Sequence, residues 1–229
     1  MALTYPVTAT TGRSATATTF TANLPTPMTN GDLLVVAYLA NDNSKYLLTP
    51  TGWGGEYHTA EGQVLGTIGF IYREVDGTEG LTQVFDVSTT SDRHACVAFT
   101  IAGRDSADQF NSNNYDGDYH ASDTTVWDVA SGVITGINNS DSNVILIGGA
   151  KAVRSISTQD SGLTLIDSVN DGYSVHVLYE DTPGSGSSAY SNTMSGARAW
   201  LGLVLEIKAA SAGGVSITPR RSFQHILTR

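Results

Sequence analysis

The sequence predicts an all-β protein: an antiparallel β-sandwich of jelly-roll or Greek-key type, built from two similar halves and ending in an extended C-terminal arm. Three observations carry that prediction. The first is the run Leu33-Leu34-Val35-Val36-Ala37-Tyr38-Leu39-Ala40, entered through the turn Asn30-Gly31-Asp32. It is too short for a buried helix, and its Val, Leu and Tyr suit a strand covered on both faces. The second is that the run returns about 110 residues later as Asn143-Val144-Ile145-Leu146-Ile147-Gly148-Gly149-Ala150, again behind a polar turn. The third is composition: 15% charged residues and 24 glycines suit short strands joined by turns rather than helices, whose exposed faces call for Glu, Lys and Arg.

The repetition extends to both sides of these runs. Thr18-Thr19-Phe20 corresponds to Thr124-Thr125-Val126, and Thr51-Gly52-Trp53 to Ser161-Gly162-Leu163. The stretch from Thr67 to Gly77 corresponds to that from Ser174 to Gly184, and the alternation Ala95, Val97, Phe99, Ile101 to Leu201, Leu203, Leu205, Ile207. Matches in one order predict an internal duplication. Two copies make a folded-together pair and not a solenoid, which needs three or more.

Taken in order, residues 1–30 are rich in Thr and Ala and offer an edge strand, ended where Pro25 and Pro27 remove backbone donors. After the central strand and a polar loop, Pro50-Thr51-Gly52-Trp53 forms a turn carrying a tryptophan, which either plugs one end of the sandwich or stacks on a sugar. Strands are expected over 64–75, 81–88 and 93–102. Residues 104–120 read as an acidic, polar connection; its Asp/Asn cluster around Gly117 lacks the spacing of a calcium-binding loop. The second half repeats the scheme and ends with a strand at 199–208. The reading is therefore one sandwich domain over 1–208, with repeats at about 1–104 and 121–208, followed by a linker and arm over 209–229.

That last segment differs from the rest. Residues 1–207 hold eight Lys and Arg against all 22 Asp and Glu, a balance of −14, whereas 208–229 hold four cations and no acid. A flexible Ala209-Ala210-Ser211-Ala212-Gly213-Gly214 linker leads to apolar Val215, Ile217, Phe223, Ile226 and Leu227, interleaved with Arg220, Arg221 and Arg229. Such an arm is suited to docking on a neighbouring subunit or a larger assembly, or on its own acidic body. Nucleic acid is not an expected partner, because the acidic body repels phosphate.

Residue patterns for chemistry are absent. There is no G-x-S-x-G elbow, no H-E-x-x-H and no Cys/His cluster. The single cysteine, Cys96, lies in a strand pattern and reads as a buried small hydrophobe. No catalytic residue, metal or cofactor is expected, so the chain is not read as an enzyme. The N-terminus lacks the features of a signal peptide, and no apolar run approaches the ~18 residues of a membrane span. Synthesis in the cytoplasm of its maker, without a membrane partner, is the expectation.

Gly31-Asp32-Leu33-Leu34-Val35-Val36-Ala37, Pro50-Thr51-Gly52-Trp53, the stretch Ile71 to Glu79 and the stretch Ala98 to Asp105 together resemble a family of β-sandwich proteins of tailed bacteriophages and prophages. Its members carry a GDLLVVA strand, a P-x-GW turn, a YYK-x-A-x-G-x-E strand and an AYRG-x-D strand. The resemblance spans roughly residues 1–208; it departs at Thr100-Ile101-Ala102-Gly103 and does not reach the arm. It implies a jelly-roll, lectin-like structural protein on the virion surface, on head or tail, without enzymatic activity. Its partners would be further copies of itself, a trimer by analogy with other virion appendages, and the major capsid or tail protein. The alternative is a carbohydrate-binding module or host-surface adhesin, with Trp53, Tyr57, Tyr115, Asp116 and Tyr119 as glycan contacts.

Overall fold

The computed structural model describes residues 10–40, 46–59, 66–107, 110, 115–137, 143–170, 172–181 and 186–210. All of the regular structure among them is β. The first half contributes β1 (Thr10–Asn23), β2 (Leu33–Ala40), β3 (Gly54–Thr59), β4 (Thr67–Glu74) and β5 (Thr82–Ile101). The second contributes β6 (Tyr115–Ile137), β7 (Asn143–Ala150), β8 (Ile156–Thr158), β9 (Leu163–Asn170), β10 (Ser174–Glu180) and β11 (Gly186–Ile207). Each half forms its own antiparallel sheet, in the order β1-β5-β2-β4-β3 and β6-β11-β7-β10-β9, with β8 added beside β11. Exchanging β1, β2, β3, β4 and β5 for β6, β7, β9, β10 and β11 converts the first order into the second.

The two central strands, β2 and β7, are buried along their whole length, as a run apolar on both faces requires. Side chains alternate across a strand, so the two faces serve two different cores. Leu33, Val35, Ala37 and Leu39 face the other sheet, where they join Ile68, Phe70, Val97 and Phe99 of their own half and Ile145, Ile147, Val177, Leu203 and Leu205 of the second. The alternate residues Leu34, Val36 and Tyr38 face away, into a core made with Phe20, Leu47, Phe85 and Val87. In the second half Val144 and Leu146 do the same with Trp127, Tyr190, Met194 and Trp200.

The outer cores exist because the long strands bend. Residues 95–101 of β5 pair with 39–33 of β2, whereas its 82–86 pair with 23–19 of β1, and Phe85 faces back onto Leu34 and Tyr38's layer. A register shift between Ala17 and Thr19 marks the corresponding bend in β1. The strands expected separately at 81–88 and 93–102 are therefore one. The second half follows suit: β11 pairs with β7 through 201–207 and with β6 along its length, with register shifts between Thr193 and Trp200. Residues 115–120, expected in the connection, are the opening of β6, opposite 205–200 of β11.

Across the shared core β10 lies against β5 and β2, β11 against β4, β7 against β2 and β4, and β9 against β5. Under the strand exchange above, the β10–β5 contact maps onto β4–β11, so the halves meet in a pseudo-two-fold manner, as identical subunits do. Phe110 is buried in this core from the connection between the halves, 4.5 Å from the Tyr72 ring and 5.3 Å from that of Phe70.

The outer cores are filled by different means. Where β2 presents Tyr38, β7 presents Gly148, and the Trp127 ring occupies the space a side chain there would take. Trp127 in turn stacks on Trp200, with ring centroids 6.3 Å apart. Gly148→Ala is therefore expected to destabilise the protein by ~1–3 kcal/mol, the usual cost of overpacking, as read from the midpoint of chemical unfolding. An unchanged midpoint would show that the indole can move aside freely.

Candidate functional site

The turn that carries Trp53 is closed by its amide donating to Pro50 O (3.0 Å), with Gly52 at φ +83°, a conformation that favours glycine. The indole is half-buried and meets Phe85 edge-on, with centroids 5.3 Å apart and planes at 84°. The Arg73 guanidinium lies 5.7 Å from its centroid, within cation–π range. Arg73 is held by Asp76 (2.7 Å) and Glu79 (3.2 Å). The Glu79 carboxylate also accepts the amides of Asp76 (3.1 Å) and Gly77 (2.9 Å), and Gly77 takes φ +86°. Hydrogen bonds from the Thr78 hydroxyl and amide, assisted by Arg73, hold the exposed Asp76 carboxyl below its ordinary pKa. The cation, glycine and carboxylate spaced as Arg73, Gly77 and Glu79 thus form one self-tied turn that props the tryptophan.

At the same end, the last described residues of the chain are fastened. Ala209 pairs with Arg104; the Ala210 amide donates to Gly103 O and the Asp105 amide to Lys208 O, both at 2.8 Å; and Lys208 Nζ lies 3.4 Å from Asp105. Ala209 is itself part of the shared core. The Arg104 side chain is 1% exposed and reaches Glu74 at 2.8 Å and Gly31 O at 3.4 Å. Burial pushes the carboxyl of nearby Asp32 up, opposed by a backbone hydrogen bond at Thr29 and the Arg104 charge. The strand pairing thus runs two residues past 208. Chain continuing from Ala210 leaves from a fixed point beside the first residues of β2 and the end of β4. The arm residues Val215, Ile217, Arg220, Arg221, Phe223, Ile226, Leu227 and Arg229 lie outside the described residues.

The five glycan candidates fall on two strands that approach one another: Trp53 just before β3 and Tyr57 within it, and Tyr115, Asp116 and Tyr119 in β6. These are the rim strands of the two sheets. Of the five, Trp53 is the one whose side-chain surroundings are described. Its cover by Arg73 was not legible from residue order, because sequence separation hides the approach of two adjacent turns.

Among the described residues no group of three or more His, Cys, Asp and Glu gathers as metal ligands would, and no helix is long and apolar enough to cross a membrane. A cavity of about 70 Å³ between Tyr38, Tyr46, Thr49, Gly55 and Ile71 has room for a couple of water molecules, well short of the ~300 Å³ at which small-molecule sites begin. Cys96 is fully buried in the first outer core.

Among the described residues, His176 is a titratable group with a large shift. Its Nε2–H donates to Arg154 O (2.9 Å), and its ring lies 6.4 Å from that of Trp200. Burial lowers its pKa from 6.5 to about 4, against the opposing Arg154 hydrogen bond. As pH falls, the unfolded chain takes up this proton near pH 6.5 and the folded chain only near 4. Stability contributed by the neutral ring is thus complete above about pH 6.5 and is lost on descending towards 4, by roughly 3 kcal/mol. His176→Gln is expected to flatten this part of the stability–pH profile. An unaltered slope between pH 6.5 and 4 would assign the acid sensitivity to other groups.

Comparison of the chain with protein-family models, with curated proteins and with solved structures finds no match to any of them.

Proposed function

We propose that this chain is a structural protein of a tailed-bacteriophage particle, a capsid-decorating or tail-associated subunit anchored to its neighbours by the C-terminal arm. The observation that carries this reading is the fastening of residues 208–210 to 103–105, which delivers a cationic, apolar segment from one fixed point of an acidic body. The three cores among the described residues are built from residues up to Ala209, and this reading assigns the segment beyond them to a partner. In this reading the turn around Arg73, Gly77 and Glu79, part of the stretch that resembles phage sandwich proteins, serves to hold the Trp53 end. Homo-oligomerisation and contact with the capsid or tail protein belong to the same reading. So does an origin by duplication of one bent-strand sandwich, supported by the matching strand orders and the pseudo-two-fold contact. The drawing of each sheet from one half favours that origin over a single jelly roll whose strands alternate between sheets.

Gold-labelled antibody raised against the sandwich should decorate intact, purified particles of the parent phage at one location, head or tail. Particles that carry no label and lack the protein by mass spectrometry would sink the virion reading. The convergence of β3 and β6 supports a second reading, a glycan-binding rim, which requires that Trp53→Ala abolish saturable binding on a glycan array.

A further inference from the structure

We infer that the free subunit parks its own C-terminal arm on an exposed strip of the first outer layer, formed by Leu48, Val84 and Asp86. Side chains alternate along a strand. Phe85 and Val87 point into the first outer core, so Val84 and Asp86 point outwards, and both are exposed. The segment before the Trp53 turn extends this face. Leu47 bridges Val87 and is buried, and the Leu48 amide donates to Asp86 O at 2.8 Å. Leu48 therefore stands beside Asp86 and one diagonal step from Val84, within side-chain reach. Leu48 is 42% exposed and Val84 51%, and Thr21 of β1 flanks Val84 on its other side. Among the described residues no ion pair involves Asp86. An occupant suited to this strip is apolar and carries a cation.

The arm has both properties. In Arg220-Arg221-Ser222-Phe223 a cation stands two residues from a phenyl ring, as Asp86 stands two residues from Val84. Residues two apart on an extended chain share a face and lie ~6.6 Å apart, so Phe223 over Val84 brings Arg221 over Asp86. The arm also reaches. Ala210 is bonded to Gly103, the adjoining Arg104 reaches Gly31 O, and Gly31 donates to Val75 O. From Val75 the chain passes through the turn tied by Glu79 and arrives at Val84 nine residues later. Thirteen residues lead from Ala210 to Phe223, a span of up to ~45 Å when extended. Tethering gives the chain's own arm an effective concentration in the millimolar range, which the arm of a second copy does not match in dilute solution. Exposed contacts of this kind are weak, so the arm is held loosely, a partner can take it, and the sandwich does not depend on it. The inference concerns the purified protein and stands whether or not the virion reading holds.

Trypsin cleavage of the full-length protein after Arg220 and Arg221, timed by mass spectrometry, reads the docking. Replacing Leu48 and Val84 together by Ser, and separately Asp86→Lys, should each speed that cleavage by about threefold without altering the melt, since all three side chains are exposed. Leu165→Ser, at an exposed leucine of the other sheet, should leave it unaltered. The protection should persist through a roughly hundredfold dilution, as a tethered contact does. Equal cleavage of the parent chain and the strip variants would overturn the proposal. So would protection lost on dilution, which would give the strip to the arm of a second copy. An equal effect of Leu165→Ser would overturn it too, by showing unspecific attraction of the arm to the body.

Discussion

Phe70→Ala should lower the stability of the whole protein by ~3–5 kcal/mol, the range for removing a buried phenyl ring. Phe70 is fully buried in the core that the two sheets share, with Tyr72 stacked 5.9 Å away on one side and Phe110 tilted against it. Its loss opens a cavity that touches both halves and the connection between them. Because that layer is common, the variant should unfold in a single transition displaced as a whole, with calorimetric and van 't Hoff enthalpies in agreement. Two resolved transitions, with one half holding its original midpoint, would show that the shared core does not couple the halves.

Trp200→Ala should cost a similar ~3–5 kcal/mol, through a different core. Trp200 is fully buried, stacks on Trp127, lies against His176 and donates its indole N–H to Thr124 O at 3.3 Å. Truncation leaves a cavity in the outer core of the second half and a carbonyl of β6 without its donor. The indole also shields His176, so the variant should admit water to that ring, bring its pKa back towards the ordinary value, and shrink the stability lost between pH 7 and pH 5. Denaturant titrations at pH 7 and pH 5 measure both effects. A loss below 1 kcal/mol at pH 7 would mean that the outer core repacks and is not a fixed element of the fold.

Much of the fold was legible because its signals are local. A strand buried on both faces must be apolar at consecutive positions, and the runs at 33–40 and 143–150 say so directly. The repeated order of short motifs anticipated two sheets wired alike. What stayed hidden depends on bends and long-range approach. The break expected between 88 and 93 is a continuous strand, because a register shift lets β5 fold over its own sheet, and polar residues at the bend look like a loop in sequence. Residues 115–120 look solvated since their carboxylates mark an edge strand and not a connection. Phe110, in a polar neighbourhood, gave no sign of entering the shared core. Trp53 stood out as an aromatic on a turn, yet its neighbours Phe85 and Arg73 come from other strands, and no spacing rule links them.

The central claim, that the C-terminal arm and not the sandwich secures the protein to a particle, is tested most directly by co-sedimentation. Full-length protein and a chain ending at residue 212, which keeps the 208–210 fastening, would each be mixed with particles lacking this protein and pelleted. The account predicts that full-length protein pellets, and that the truncated chain stays in solution while melting cooperatively at an unchanged temperature. Pelleting of both chains alike, or loss of the cooperative melt on truncation, would contradict it.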